Sequence, residues 1–171
     1  MDPDLRLTAR DLVNRWPERE LADCFWRLGE ERWSRRIARA VVHERRRVPI
    51  ATTTQLADVV ARVVPSRGGL RLHPATRVFQ ALRLAVNQEL EALETLLRDA
   101  PGYLKPGGRI VIIAFHSLED RLVKQAFRAE AQGGRWHLLT RKPVRPTDGE
   151  TAANPRARSA RLRAAVRTES S

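Results

Sequence analysis

His116, Ser117, Glu119 and Asp120 stand directly after the apolar run Arg109 to Phe115 in the stretch LKPGGRIVIIAFHSLEDR, Leu104 to Arg121. An imidazole and two carboxylates within five residues can move protons or orient an amine, and α/β proteins place such groups at the carboxyl ends of strands. The same residues also fit a helix start. Ser117 with Asp120 three positions on reads as a variant capping box, and Glu119 and Asp120 suit the positive end of the helix dipole. That leaves His116 as the catalytic candidate, without a general base being inferred from it.

Arginine is the second chemical signal. Lys and Arg number 32 against 20 Asp and Glu, a net charge of +12, and the planar guanidinium fork suits phosphates. One cluster comprises Arg35, Arg36 and Arg39 with Arg45, Arg46 and Arg47; a second is Arg156 and Arg158 in NPRARSAR. Both are candidate nucleic-acid-binding clusters, with salt-dependent and largely sequence-indifferent phosphate contacts expected. The first cluster also reads as a solvated face partly paired with Glu30, Glu31 and Glu44. Alternation along the last strand puts Arg161 and Arg163 together on the exposed side of an edge strand.

Other chemistries have little material. The single cysteine, Cys24, has no internal disulfide partner, and His43, His73, His116 and His137 are far apart in the sequence, so no metal site is expected. No apolar run approaches the ~18 residues of a membrane span. Met1 to Arg10 is polar and charged, unlike a secretory signal, so a cytoplasmic protein without a membrane partner is expected.

The elements that must position these groups divide in two. Thr8 reads as an N-cap, with a break at Trp16-Pro17. A second helix is expected over 18–28, and an amphipathic one from Glu30 to about Arg47, apolar at Trp33, Ile37, Ala40 and Val41. TTTQLADVVARVV forms a threonine-capped helix from about Thr54 to Val64, and PSRGG, Pro65 to Gly69, is the domain boundary. Beyond it, Pro74 opens a long helix with Val78, Leu82, Val86, Leu90, Leu93 and Leu97 at 3–4 spacing, as for a helix lying along a sheet. After the KPGG turn, RIVIIAF reads as a central parallel strand covered by helices on both faces. A helix to about Ala131, two short strands (RWHLLTRKP and ARLRAAVRT) and a long exposed loop from Arg145 to Ser159 complete the chain. The expected fold is α/β, with residues 1–72 an all-helical unit and 73–171 the sheet-containing one.

The strings GEERWSRRIARAVV, HPATRVFQALRLAVNQELEAL, AFHSLEDRLVK and NPRARSARLRA closely resemble the family of ribosomal RNA small subunit methyltransferase H, over Met1 to about Thr168. That resemblance implies transfer of a methyl group from S-adenosylmethionine to the N4 amine of a cytidine in the decoding region of 16S rRNA. It also implies a helical substrate-recognition insertion at 1–72 and, at 73–171, the later part of a class I, Rossmann-like methyltransferase sheet. The chain departs from the family pattern: the Gly-rich loop ending in Gly-Gly-His, the acidic residue after the second strand and the Asp-Leu-Gly segment are not in it. The resemblance therefore implies the carboxyl-terminal part only, lacking the donor-binding half and inactive alone, with the RIVIIAF strand short of a partner and exposing an apolar edge. S-adenosylmethionine is then the cofactor of the complete enzyme and is not expected to bind this chain by itself. Small-subunit rRNA is the expected partner, with the missing amino-terminal half or a homodimer partner as further candidates. Two other readings stay open: a helix-turn-helix DNA-binding regulator, built on TTTQLADVVARVV and the following helix, and an interaction module that complements a separate half without catalysis.

Overall fold

The computed structural model describes residues 7–65 and 73–168. Most of the expected boundary segment, 66–69 of PSRGG, and the 72/73 division itself lie at or outside those limits. The chain forms two compact units, residues 1–89 and 90–171.

The first unit is helical. Helix α1 (Ala9–Arg15) opens on a capping box in which the Thr8 side chain accepts the Asp11 N–H and the Asp11 carboxylate accepts the Thr8 N–H, both at 3.1 Å. It ends at Trp16, before Pro17, as the proline requires. Helix α2 (Glu18–Arg27) is followed by Gly29, where a Cβ would sit 2.6 Å from the Arg77 carbonyl oxygen and 2.7 Å from that of Phe25, so only glycine fits. Helices α3 (Ser34–Arg45) and α4 (Thr53–Val63) follow, the latter capped by a reciprocal Thr52–Gln55 box. Helix α5 (Thr76–Asn87) completes the unit. Leu12, Phe25, Ile37, Val60, Val78 and Leu82 are almost wholly buried in its core. Buried residues recur at 3–4 spacing on the helices, as Leu21 and Phe25 on α2, Ile37 and Val41 on α3, and Leu56 and Val60 on α4, and joining these stripes removes them from water.

The expected long helix from Pro74 is in fact two. Gln88 adopts a left-handed conformation (φ 51°, ψ 39°), and α6 (Glu89–Tyr103) starts beyond it. Val78, Leu82 and Val86 serve the helical core rather than a sheet. Heptad-like spacing is the same in either case, because it records an apolar face and not the surface that face meets.

The second unit contains α6, β1 (Arg109–Ala114), α7 (Ser117–Gln132), β2 (Trp136–Leu138), α8 (Asp148–Ala153), a 3-10 helix (Pro155–Ser159) and β3 (Arg161–Arg167). The strands form an antiparallel sheet in the order β1-β3-β2, with Arg109 opposite Val166, Ala114 opposite Arg161, and Leu138 opposite Ala165. Leu97, Val123, Phe127, Trp136 and Ala165 form its core, and Ile110 and Ile112 pack against it. The overall class is mixed helix and sheet.

Two expectations about the sheet are corrected. Among the described residues β1 is an edge strand in antiparallel pairing, and its alternate residues Val111, Ile113 and Phe115 are 55%, 51% and 54% exposed. A run that is apolar on both faces can be buried on both, but here helices cover only one. Conversely β3, expected at an edge, is central, and Arg163 on it is buried. The segment expected as a long loop holds α8 and the 3-10 helix instead, started by side-chain acceptors at Thr147 and Asn154.

Candidate functional site

The end of β1 is built as a helix cap, one residue earlier than expected. His116, not Ser117, is the N-cap of α7: its backbone is extended and its Nδ1 accepts the Glu119 N–H at 3.3 Å. The Glu119 carboxylate in turn accepts the N–H groups of Phe115 and His116 at 2.8 and 3.2 Å. An accepting Nδ1 puts the proton of the neutral ring on Nε2, which lies 3.3 Å from Glu119 Oε1 without the alignment of a hydrogen bond. Burial works to raise the Glu119 pKa, but the adjacent His116 ring and the backbone N–H donors of Phe115 and His116 outweigh it and hold it below the ordinary carboxylate range. His116 is thus a local structural group, and its second nitrogen is buried beside the Glu119 carboxylate.

Asp120, released from the capping role, reaches across to the sheet. Its Oδ1 accepts from Arg163 Nε at 2.7 Å and its Oδ2 from Arg161 Nη1 at 3.2 Å. Burial opposes ionisation of Asp120, yet the hydrogen bonds and charges of Arg163 and then Arg161 prevail and keep its pKa lowered. A buried carboxylate between two guanidiniums fastens the start of α7 to the central strand beside His116.

The basic face of α3 is less free than its charge implies. Arg45 is half-buried and donates Nη1 to the Val13 carbonyl at 2.7 Å, so it ties α3 to α1. Arg39 lies 3.7 Å from Glu18, and Arg36 lies over the Trp33 ring at 5.9 Å. Two of the acids expected to neutralise this face are employed elsewhere: Glu31 is buried and accepts the Trp33 N–H at 2.8 Å, and Glu44 pairs with Arg62 at 3.0 Å. Arg35, Arg46 and Arg47 are exposed and make no ion pair among the described residues.

Arg35 and Arg36 share a feature that charge counting misses. With Arg32, Asp23, Trp26 and Trp33 they line a cleft of about 400 Å³ between α2 and the start of α3. Trp26 is 59% exposed, and Arg32 stacks over Trp33 at 5.3 Å. An exposed indole beside arginines offers a stacking surface and phosphate donors together. The sequence signal was available, since Trp26 and Trp33 fall seven residues apart near an arginine run, but Trp33 has the spacing of a core residue and Trp26 lies off the apolar face of its helix. A larger cleft of about 480 Å³, lined by Val13, Ile50, Leu56 and Phe79, is apolar and offers a polyanion little.

Arg156 and Arg158 are exposed on the 3-10 helix, as loop residues available to an anion. Helix α5 is poorly suited to reading DNA, because its two exposed arginines are occupied: Arg77 on the Glu30 carbonyl and Arg83 on Glu89 at 2.9 Å. A methyl donor finds no matching cradle among the described residues. Gly107 and Gly108 precede β1, Gly133 and Gly134 follow α7, and the carboxylates at the end of β1 are engaged by backbone N–H groups and arginines. No helix among the described residues is long and apolar enough to cross a membrane.

A sequence model of the MraW methylase family matches residues 1–168. Similar relatives carry the name Ribosomal RNA small subunit methyltransferase H. That of Syntrophobacter fumaroxidans is 56% identical over 180 residues, covering 96% of this chain and 56% of its own length. That of Synechococcus sp. (strain JA-2-3B'a(2-13)) is 59% identical over 171 residues, covering 98% and 51%. That of Thermomicrobium roseum is 56% identical over 181 residues, covering 97% and 55%. The chain spans about half the length of these curated relatives.

Proposed function

The chain belongs to the MraW methylase family, and from that premise we propose that it serves S-adenosylmethionine-dependent methylation of the N4 amine of a cytidine in the decoding region of 16S rRNA, contributing the surface that holds the RNA. The relatives' name supplies the reaction class. The observation that carries the RNA-holding role is the cleft between α2 and α3, where Trp26 and Trp33 stand beside Arg32, Arg35 and Arg36. A base stacks on an indole whatever its identity, and the guanidiniums take the phosphates on either side. On this reading the helical unit recognises substrate and the sheet-bearing unit is the later part of a Rossmann-like methyltransferase sheet in the cytoplasm.

Methyl transfer to an exocyclic amine depends on aligning the nitrogen with the methyl group more than on a strong base. The part of His116 in this scheme is to hold the start of α7, and no proton transfer is assigned to it. On this reading the donor is bound by residues other than the described ones.

Two measurements test this. Fluorescence anisotropy with a labelled decoding-region hairpin is expected to show binding that Trp26→Ala weakens by roughly 10-fold, a loss of one stacked base, with the circular dichroism unchanged. Equal binding by Trp26→Ala and the parent chain would remove the cleft from the reading. Calorimetry with S-adenosylmethionine at about millimolar concentration is expected to show no heat of binding; a saturable heat would overturn the assignment of the donor site elsewhere.

A further inference from the structure

Residues 135–168 contain nine Arg and Lys but only two carboxylates, Asp148 and Glu150. Four of the nine cations are employed inside the unit. Arg135 pairs with Glu130, Arg161 and Arg163 with Asp120, and Arg167 donates to the carbonyls of Pro101 and Leu104. The other five, Arg141, Lys142, Arg145, Arg156 and Arg158, are exposed, and their side chains make no hydrogen bond or ion pair among the described residues.

The backbone brings these five together. After β2 the chain continues along the edge of β3: the Leu139 and Thr140 N–H groups donate to the Ala164 carbonyl, and Val144 exchanges both of its hydrogen bonds with Leu162 at 2.9 Å. Arg145 therefore lies at the level of Arg161, where the 3-10 helix bearing Arg156 and Arg158 runs into β3. Arg161 also faces Ala114, so this is the sheet end at which His116 stands. Asp148 and Glu150 sit in the first turn of α8, where the helix dipole favours them and Thr147 caps the helix.

We infer that Arg141, Lys142 and Arg145, with Arg156 and Arg158, form a second RNA contact that grips the phosphodiester backbone next to the His116 end of the sheet. An unneutralised row of mostly arginine on a hydrogen-bonded edge is pre-set for phosphates, the contact by which cations position a nucleic acid. This contact is separate from the α2–α3 cleft and deepens the RNA-holding role proposed above, on which it rests. The cleft adds stacking on Trp26 to its own charge whereas the ridge is charge alone, so removing Trp26 and removing the ridge cations differ in their effect on salt dependence.

The experiment is a salt titration of binding to the same labelled hairpin by the full chain. It compares Arg141→Gln/Lys142→Gln/Arg145→Gln and, as an independent variant, Arg156→Gln/Arg158→Gln with the parent chain and Trp26→Ala. With three phosphate contacts, the parent should lose roughly 20-fold more affinity than the triple variant between about 50 and about 200 mM salt. Trp26→Ala should bind more weakly at every salt concentration with an unchanged slope. If both glutamine variants keep the parent's affinity and slope while Trp26→Ala is weakened, the ridge is refuted and the cleft stands. If they lose slope while Trp26→Ala is unaffected, the ridge stands and the cleft falls. A parent chain that shows no salt-dependent binding overturns both.

Discussion

Asp120 shows how one displaced residue changes the meaning of a motif. In HSLED the pairs Ser117/Asp120 and His116/Glu119 have equal spacing, and the more common cap residue favours the first pair. The fold uses the second, which frees Asp120 for Arg161 and Arg163, 41 and 43 positions away. Because the Asp120 and Arg163 side chains are only 11% and 8% exposed, Asp120→Asn leaves a guanidinium charge buried without its counter-ion. The expected cost is on the order of 3 kcal/mol in urea unfolding, and Arg163→Met added to it should recover much of the loss. The pH dependence has a definite sign. The Asp120 pKa is lowered by folding, so its contribution is complete above the unfolded value of about 3.9 and disappears as pH falls through the lower folded value. The parent should therefore lose stability below about pH 4 more steeply than Asp120→Asn; parallel acid profiles would show that Asp120 is not the ionised partner. Alternation correctly put Arg161 and Arg163 on one face, but which face is buried was not legible, since nothing near them in sequence signals a distant carboxylate.

At the scale of elements, the helices of the first unit were legible nearly to the residue where a local cap exists. Thr8 and the break at Trp16-Pro17 were expected and are present, because their hydrogen bonds close within one turn. The long helix from Pro74 was not, because no glycine or proline marks its interruption at Gln88. A non-glycine residue in the left-handed region costs about 1–2 kcal/mol, which packing of α5 into the helical core must offset. Gln88→Gly should consequently raise stability by about 1 kcal/mol in thermal unfolding, whereas glycine inside an unbroken helix would lower it by about the same amount. The sign of the change distinguishes one helix from two. The strands were found at the right places and given the wrong neighbours, since a β-branched run specifies extended backbone but not pairing partner or direction.

For the whole molecule, the described residues make two separate cores, one from α1 to α5 and one from α6, α7 and the sheet. The sheet of the second unit presents Val111, Ile113 and Phe115 to solvent, a larger apolar stripe than an edge strand usually carries. Val111→Lys with Ile113→Lys should leave the circular dichroism unchanged and reduce aggregation in light scattering, while Ile112→Lys, directed into the core, should destabilise by on the order of 3 kcal/mol. Similar effects from all three substitutions would contradict the one-sided covering of β1. The amino-acid sequence alone determined the helices with side-chain caps, the strands' extended segments, the surplus of arginine and the family, because these depend on residue type and short spacing. Tertiary structure alone decided that β3 lies in the middle of the sheet, that α5 joins the helical core, that Asp120 absorbs two arginines, and that five others in the same region are left free. Each of these is a contact between segments far apart in the chain, and local physical preference carries no information about which distant group will arrive.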